Sequence, residues 1–184
     1  MRRGPRFFPL ALLAVVLLTA ALGVRAWLAR RAEPEPVPAA ADTTSASVRT
    51  VTLWFASLDA DSLVSEAREV PEQGELHARL AALVSELAAG PGERALPTLP
   101  PGTTLLHAYL DDAGLLTLDL SRPFRQGFTG GARAEELVLG SLVRTVSSNV
   151  AEAKRIRIVC AGAPLATLGG HFPLDQPLDP QDWP

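Results

Sequence analysis

The chain has 184 residues, 17 Lys+Arg against 20 Asp+Glu, and 47% hydrophobic residues. That composition supports a packed core and one domain of ordinary size, and it excludes a bulk basic character of the kind nucleic acid attracts. A single cysteine excludes both an intrachain disulfide framework and a four-cysteine zinc site.

The charge is unevenly spread. Arg2, Arg3, Arg6, Arg25, Arg30 and Arg31 are the only charged residues of positions 1–31, so positions 32–184 carry a net charge of −9. Phe7 to Val24 is uncharged, and eighteen helical residues span about 27 Å, near the thickness of a bilayer core. The sequence therefore predicts an N-terminal membrane anchor at 1–31, with the bilayer met by residues 7–24. A cleaved signal peptide and a secreted product is the competing reading. The tighter N-terminal arginine cluster places the N-terminus in the cytoplasm and the rest of the chain outside it, as a single-pass protein of a bacterial cytoplasmic membrane. Residues 32–48, with Pro34, Pro36 and Pro38, read as an extended spacer of up to about 50 Å.

The remainder predicts strands and two amphipathic helices. Val51–Ala56 and Leu63–Val70 are strand candidates around a turn at Ser57–Asp61. Gln73–Ala89 is a helix with Leu76, Leu80, Leu83, Val84 and Leu87 on one stripe, stopped by Gly90-Pro91. Thr103–Asp111 and Leu115–Ser121 form a hairpin, with Gly114 placed for positive φ. Leu106, Ala108 and Leu110 share its core face with Leu116, Leu118 and Leu120. The other face carries His107, Tyr109, Thr117 and Asp119. Gly131–Asn149 is the second helix, with Thr129 as N-cap and Leu137, Val138, Leu142, Val143 and Val146 turned inward. Arg155–Ala161 alternates basic and apolar residues, Pro164–Leu168 is a short final strand, and the tail from His171 is irregular. The expected fold is α+β: an antiparallel-dominated sheet with both helices on one face, in the order β-β-α-β-β-α-β-(β).

These segments resemble the GerMN domain family of sporulation and spore germination proteins. The resemblance rests on VTLWFAS, LVSEAREV, the helix ending LVSELAAGP, the run LPPGTTLLHAYLDDAGLLTLDLS with Phe124 after it, EELVLGSLVRTVSSN, and RIRIVCAGAPLATLGGHFPLDQPL. Thr145 matches the threonine of an asparagine–threonine pair usual in that helix, while Arg144 stands in the asparagine's place. The expected domain is 49–178, with a tail at 179–184. The resemblance implies an extracytoplasmic α/β domain of envelope assembly or spore development, without an established catalytic site. The anchor, the spacer and an exposed sheet face lead to the expectation of action by contact, through an envelope protein partner or self-association.

The candidate chemistry is sparse, and no catalytic, cofactor or metal residues are expected. His77 lies off the leucine stripe and reads as solvated. His107 faces Asp119 across the hairpin, the best acid–base pair for a small hydrolase, but no nucleophile is fixed beside it. No histidine spacing suits zinc. Cys160 falls on an apolar face as a structural thiol. Asp59 and Asp61 lack the glycine and final acid of a calcium loop. Lys154, Arg155 and Arg157 form a basic cluster that could meet peptidoglycan or an acidic neighbour, or simply guard a strand edge.

Overall fold

The computed structural model describes residues 47–183. The anchor at 7–24 and nearly all of the spacer lie outside them. Among the described residues no helix is long and apolar enough to cross a membrane.

The elements follow the expected order with two additions, a short helix and a 3-10 turn. Strands β1 (Val48–Ala56) and β2 (Leu63–Pro71) precede helix α1 (Leu76–Ala89). Strands β3 (Leu105–Leu110) and β4 (Leu115–Leu120) lead to a short helix α2 (Arg122–Gln126) and a long one, α3 (Ala132–Asn149). Strands β5 (Arg155–Cys160) and β6 (Ala163–Pro164) are followed by a 3-10 turn at Pro180–Asp182. The short helix has Pro123 in its first turn, where the fixed φ of proline suits it, and it buries Phe124 completely.

The strands form two sheets, which corrects the expectation of one. β1 and β2 are an antiparallel pair by themselves; β3-β4-β5-β6 is a four-stranded sheet. Its central pair, β4–β5, is parallel. The cause is the connection: α2 and α3 carry the chain back before β5 begins, as a crossover between parallel neighbours must.

What keeps the sheets apart is visible on the free side of β1. The Asn149 amide donates to the carbonyl of Thr52 at 2.7 Å, and its oxygen accepts from the Thr52 N–H at 3.1 Å. Thr145 Oγ1 accepts from the Trp54 N–H at 2.9 Å, and the Ser141 hydroxyl donates to the Trp54 carbonyl. Ala56 exchanges two main-chain bonds with Leu96. Residues 141, 145 and 149 fall on one ridge of α3, four apart. Their side chains occupy the place a third strand would take.

One continuous core joins both sheets and both long helices. Val51, Leu53 and Phe55 of β1 meet Leu80, Leu83, Val84 and Leu87 of α1, with Leu116, Leu118 and Leu120 of β4 and Ile156 and Ile158 of β5 completing it. Residues 137–143 of α3 are buried without interruption. The helix is thus enclosed on nearly every side, where the sequence suggested a single inward stripe. Gly140 explains part of the fit: a Cβ there would stand 3.1 Å from Leu63 Cδ1.

Other expectations change locally. A bulge between Leu105 and His107 turns Leu105 into the core and leaves Leu106 39% exposed. Gly131, not Thr129, is the N-cap of α3, and no side chain caps it. β6 ends at Pro164, because the chain after it runs as a loop whose N–H groups turn toward α3. The tail is tied down: Leu178 exchanges two main-chain bonds with Ile156, and Phe172 packs against Trp183 with ring centroids 5.6 Å apart. Gly114 has the expected positive φ of 83°, and Asp111 Oδ1 accepts from the N–H groups of Ala113 and Leu115 in the same turn.

Candidate functional site

The proposed acid–base pair resolves first. His107 lies directly opposite Asp119 in the β3–β4 register. Asp119, however, is buried, and both its carboxylate oxygens accept from the N–H of Gly162, at 3.0 and 3.1 Å. Its task is to hold the β5–β6 turn, where Ala161 and Gly162 both have positive φ. His77 points elsewhere, with Nε2 3.2 Å from the Leu106 carbonyl, so that nitrogen carries the proton. Among the described residues no three His, Cys, Asp or Glu side chains gather as metal ligands. Asp59 sits in the β1–β2 turn, where a bond from the Ser57 hydroxyl holds its carboxyl below the ordinary value. Cys160 is buried, with Sγ 3.6 Å from the Ser121 carbonyl.

A second acid–histidine pair was not anticipated. Glu135, in the first turn of α3, has no exposed surface. Its Oε1 accepts from the Leu168 N–H at 3.0 Å, and its Oε2 from both the main-chain N–H and Nδ1 of His171 at 2.9 Å. Burial pushes this carboxyl up, but main-chain donors from Gly169, His171 and Leu168 together with the His171 ring outweigh it and hold it below the ordinary range. The arrangement folds the 165–171 loop onto α3. An acid three residues into a helix and a histidine in a proline-rich tail offered no sequence signal of that contact.

Among the described residues, three exposed surfaces stand out. The first is the outer face of the larger sheet. Tyr109, Thr117 and Arg157 stand in one cross-strand row, with Tyr109 69% exposed and Arg157 exposed. Arg155 and Lys154 are exposed alongside.

The second is an apolar groove of about 550 Å³ between the Leu96–Pro100 loop, the Gly127–Thr129 segment and the start of α3. Thr98, one of its lining residues, makes a buried hydroxyl contact of 2.6 Å with Ser141.

The third is the β1–β2 unit. Its outer side carries Trp54, whose Nε1 donates to Ser148 Oγ at 3.1 Å and whose ring lies 4.6 Å from the Arg144 guanidinium. Thr145 is one of the residues that close the β1 edge, while Arg144 stacks on the strand's tryptophan. The free edge of the unit is β2. On its inner side Arg68 pairs with Glu66 and Glu86 and donates to the Gly90 carbonyl, tying the strand to the end of α1.

Comparison with known proteins follows the same outline. The Germane family, described as sporulation and spore germination, matches residues 52–166, from within β1 to just past β6. The structure is similar to the tandem GerMN domains of the sporulation protein GerM from Bacillus subtilis, with a TM-score of 0.60 and 15% identity over 74% of this chain and 48% of that one. The chain thus spans about half of the tandem structure. It is similar to the first of those domains alone, with a TM-score of 0.56 and 15% identity over 73% of this chain and 99% of that one. It is also similar to a Clostridium perfringens protein designated a lipoprotein, with a TM-score of 0.52 and 22% identity over 74% and 90% of the two chains. These likenesses concern the fold. No curated protein matches the sequence.

Proposed function

The chain belongs to the Germane family of sporulation and spore germination domains, and on that premise we propose that it is a non-catalytic, membrane-anchored extracytoplasmic domain. It works in cell-envelope assembly through protein–protein contact or self-association. The anchor at 7–24 holds it at the membrane, and the 32–48 spacer gives it reach.

One observation carries the non-catalytic reading. Asp119 and Glu135, the two acids placed beside histidines, are both committed to main-chain N–H groups that hold turns and loops.

Sedimentation of a 47–184 fragment, which contains every residue of the buried core, tests the contact mechanism. The mean mass should rise with concentration, alone or on addition of an envelope partner. A monomer at high concentration, also when tethered to lipid, counts against self-association. A phosphatase reporter fused after Pro184 should be active only if that end lies outside the cytoplasm.

The Tyr109–Thr117–Arg157 row favours a second reading, a wall-binding module that assists a wall hydrolase. An exposed aromatic beside cations suits a sugar polymer with acidic groups. Pull-down on purified peptidoglycan should then fall at least five-fold in Arg155→Glu/Arg157→Glu. Unchanged binding removes this face from the mechanism.

A further inference from the structure

We propose that β2 is the self-association edge of this protein, and that two copies pair their β2 strands antiparallel about a two-fold axis at Ala67. The proposal rests on the self-association reading above and gives it a surface and a register.

The direction of each main-chain group on β2 follows from β1. Thr52 and Trp54 turn their N–H and C=O groups to α3, so Val51, Leu53 and Phe55 turn theirs to β2. Their partners in register are Arg68, Glu66 and Val64. In an antiparallel pair these directions alternate, which leaves the N–H and C=O groups of Ser65, Ala67 and Glu69 pointing away from β1. Among the described residues no strand pairs with that side. Ser65, Ala67 and Glu69 are all exposed. A groove of about 700 Å³ is lined by Val64–Ala67 of β2 together with Gly92–Ala95. The opposite edge of this sheet is closed by α3, so β2 is its one open template for a strand.

The sequence of the strand selects the occupant. With a two-fold axis at Ala67, Glu66 stands opposite Arg68 of the second copy, and Arg68 opposite its Glu66. Val64 stands opposite Val70, Ser65 opposite Glu69, and Ala67 opposite itself. Glu66 and Arg68, already joined within each chain, would add an opposite charge across the axis; the apolar pair matches, and the smallest side chain lies on the axis. The neighbouring registers fail by the same test. Centring the axis on Glu66 sets two acids directly opposite, and centring it on Arg68 sets two cations opposite.

Pro71 bounds the pairing, since it has no N–H to donate. About six main-chain hydrogen bonds would form between Ser65 and Glu69 of the two copies. An edge this short buries less than the roughly 1,200 Å² of a standard interface, so the pairing belongs to the weak, concentration-dependent class that tethering to one surface favours.

The test uses the full chain in mild detergent, followed by sedimentation equilibrium. Ser65→Glu puts a second acid opposite Glu69 and should weaken dimerisation at least five-fold. Adding Glu69→Lys in the same chain turns both repulsive pairs into ion pairs and should restore dimerisation to at least the parent level. These two positions are four apart on one exposed strand face, so the rescue cannot arise within a single copy. Ala67→Pro, which removes an outward N–H, should abolish dimerisation, with far-UV circular dichroism unchanged. A dimer indifferent to all three variants overturns the β2 edge while self-association stands. Weakening by Ser65→Glu without rescue overturns the two-fold register. A parent chain that stays monomeric throughout, or that binds only an added extended peptide, overturns both this proposal and self-association.

Discussion

Glu135 shows how a single buried charge can fix a loop. Its carboxylate receives donors from Leu168 and His171, and a glutamine there could accept only at its oxygen, leaving its amide facing an N–H. Glu135→Gln should therefore cost about 1–3 kcal/mol of stability. The pH dependence has a definite sign. The folded value lies below the ordinary 4.5, so the carboxylate's contribution is complete above that value and is lost as pH falls through the lower folded one. The stability gap between parent and variant should thus be constant above about pH 5.5 and shrink on acidification below 4.5. Denaturant melts across that range would show it; a gap that widens in acid contradicts the assignment. The same scale explains why the His107–Asp119 pair does not act as a unit. Register places the two residues opposite each other, while the carboxylate accepts from the Gly162 N–H.

Among the elements, α3 departs furthest from its sequence pattern. Ser141, Thr145 and Asn149 are small polar residues that ordinarily face water on a helix. Here they form a ridge that satisfies the open edge of β1. Asn149→Leu should remove two hydrogen bonds to Thr52 and leave those main-chain groups without partners, destabilising by about 2–4 kcal/mol. Asn149→Asp, which keeps only the acceptor, should fall between that variant and the parent. Equal stability of all three would show that water serves the edge as well. The hairpin turn is the contrasting case, being local. Gly114 has φ of 83°, and a Cβ there would lie 2.9 Å from the Glu152 carbonyl oxygen. Gly114→Ala should cost about 1–3 kcal/mol, read from chemical denaturation.

For the whole molecule, the C-terminal tail is part of the domain. Leu174 and Leu178 are buried, Leu178 pairs with Ile156, and His171 reaches Glu135. A chain ending at Gly170 loses all three and should be destabilised by at least about 4 kcal/mol, from two buried leucines alone. Thermal melting would show whether it folds at 37 °C. Much of this architecture was legible in one dimension. The order of strands and helices, the leucine stripe of α1, the Asp111–Gly114 turn and the buried Cys160 all follow from local rules, because periodicity and turn chemistry act over a few residues. The split of charge along the chain and the family resemblance were equally open to reading. Tertiary structure alone decided what depends on distant partners. The division into two sheets, the parallel β4–β5 pair, the polar ridge on β1 and the Glu135–His171 contact join residues 36 to 97 positions apart. No local pattern fixes such contacts, because they arise from whichever main-chain groups packing leaves without partners, and those must be satisfied wherever the fold puts them.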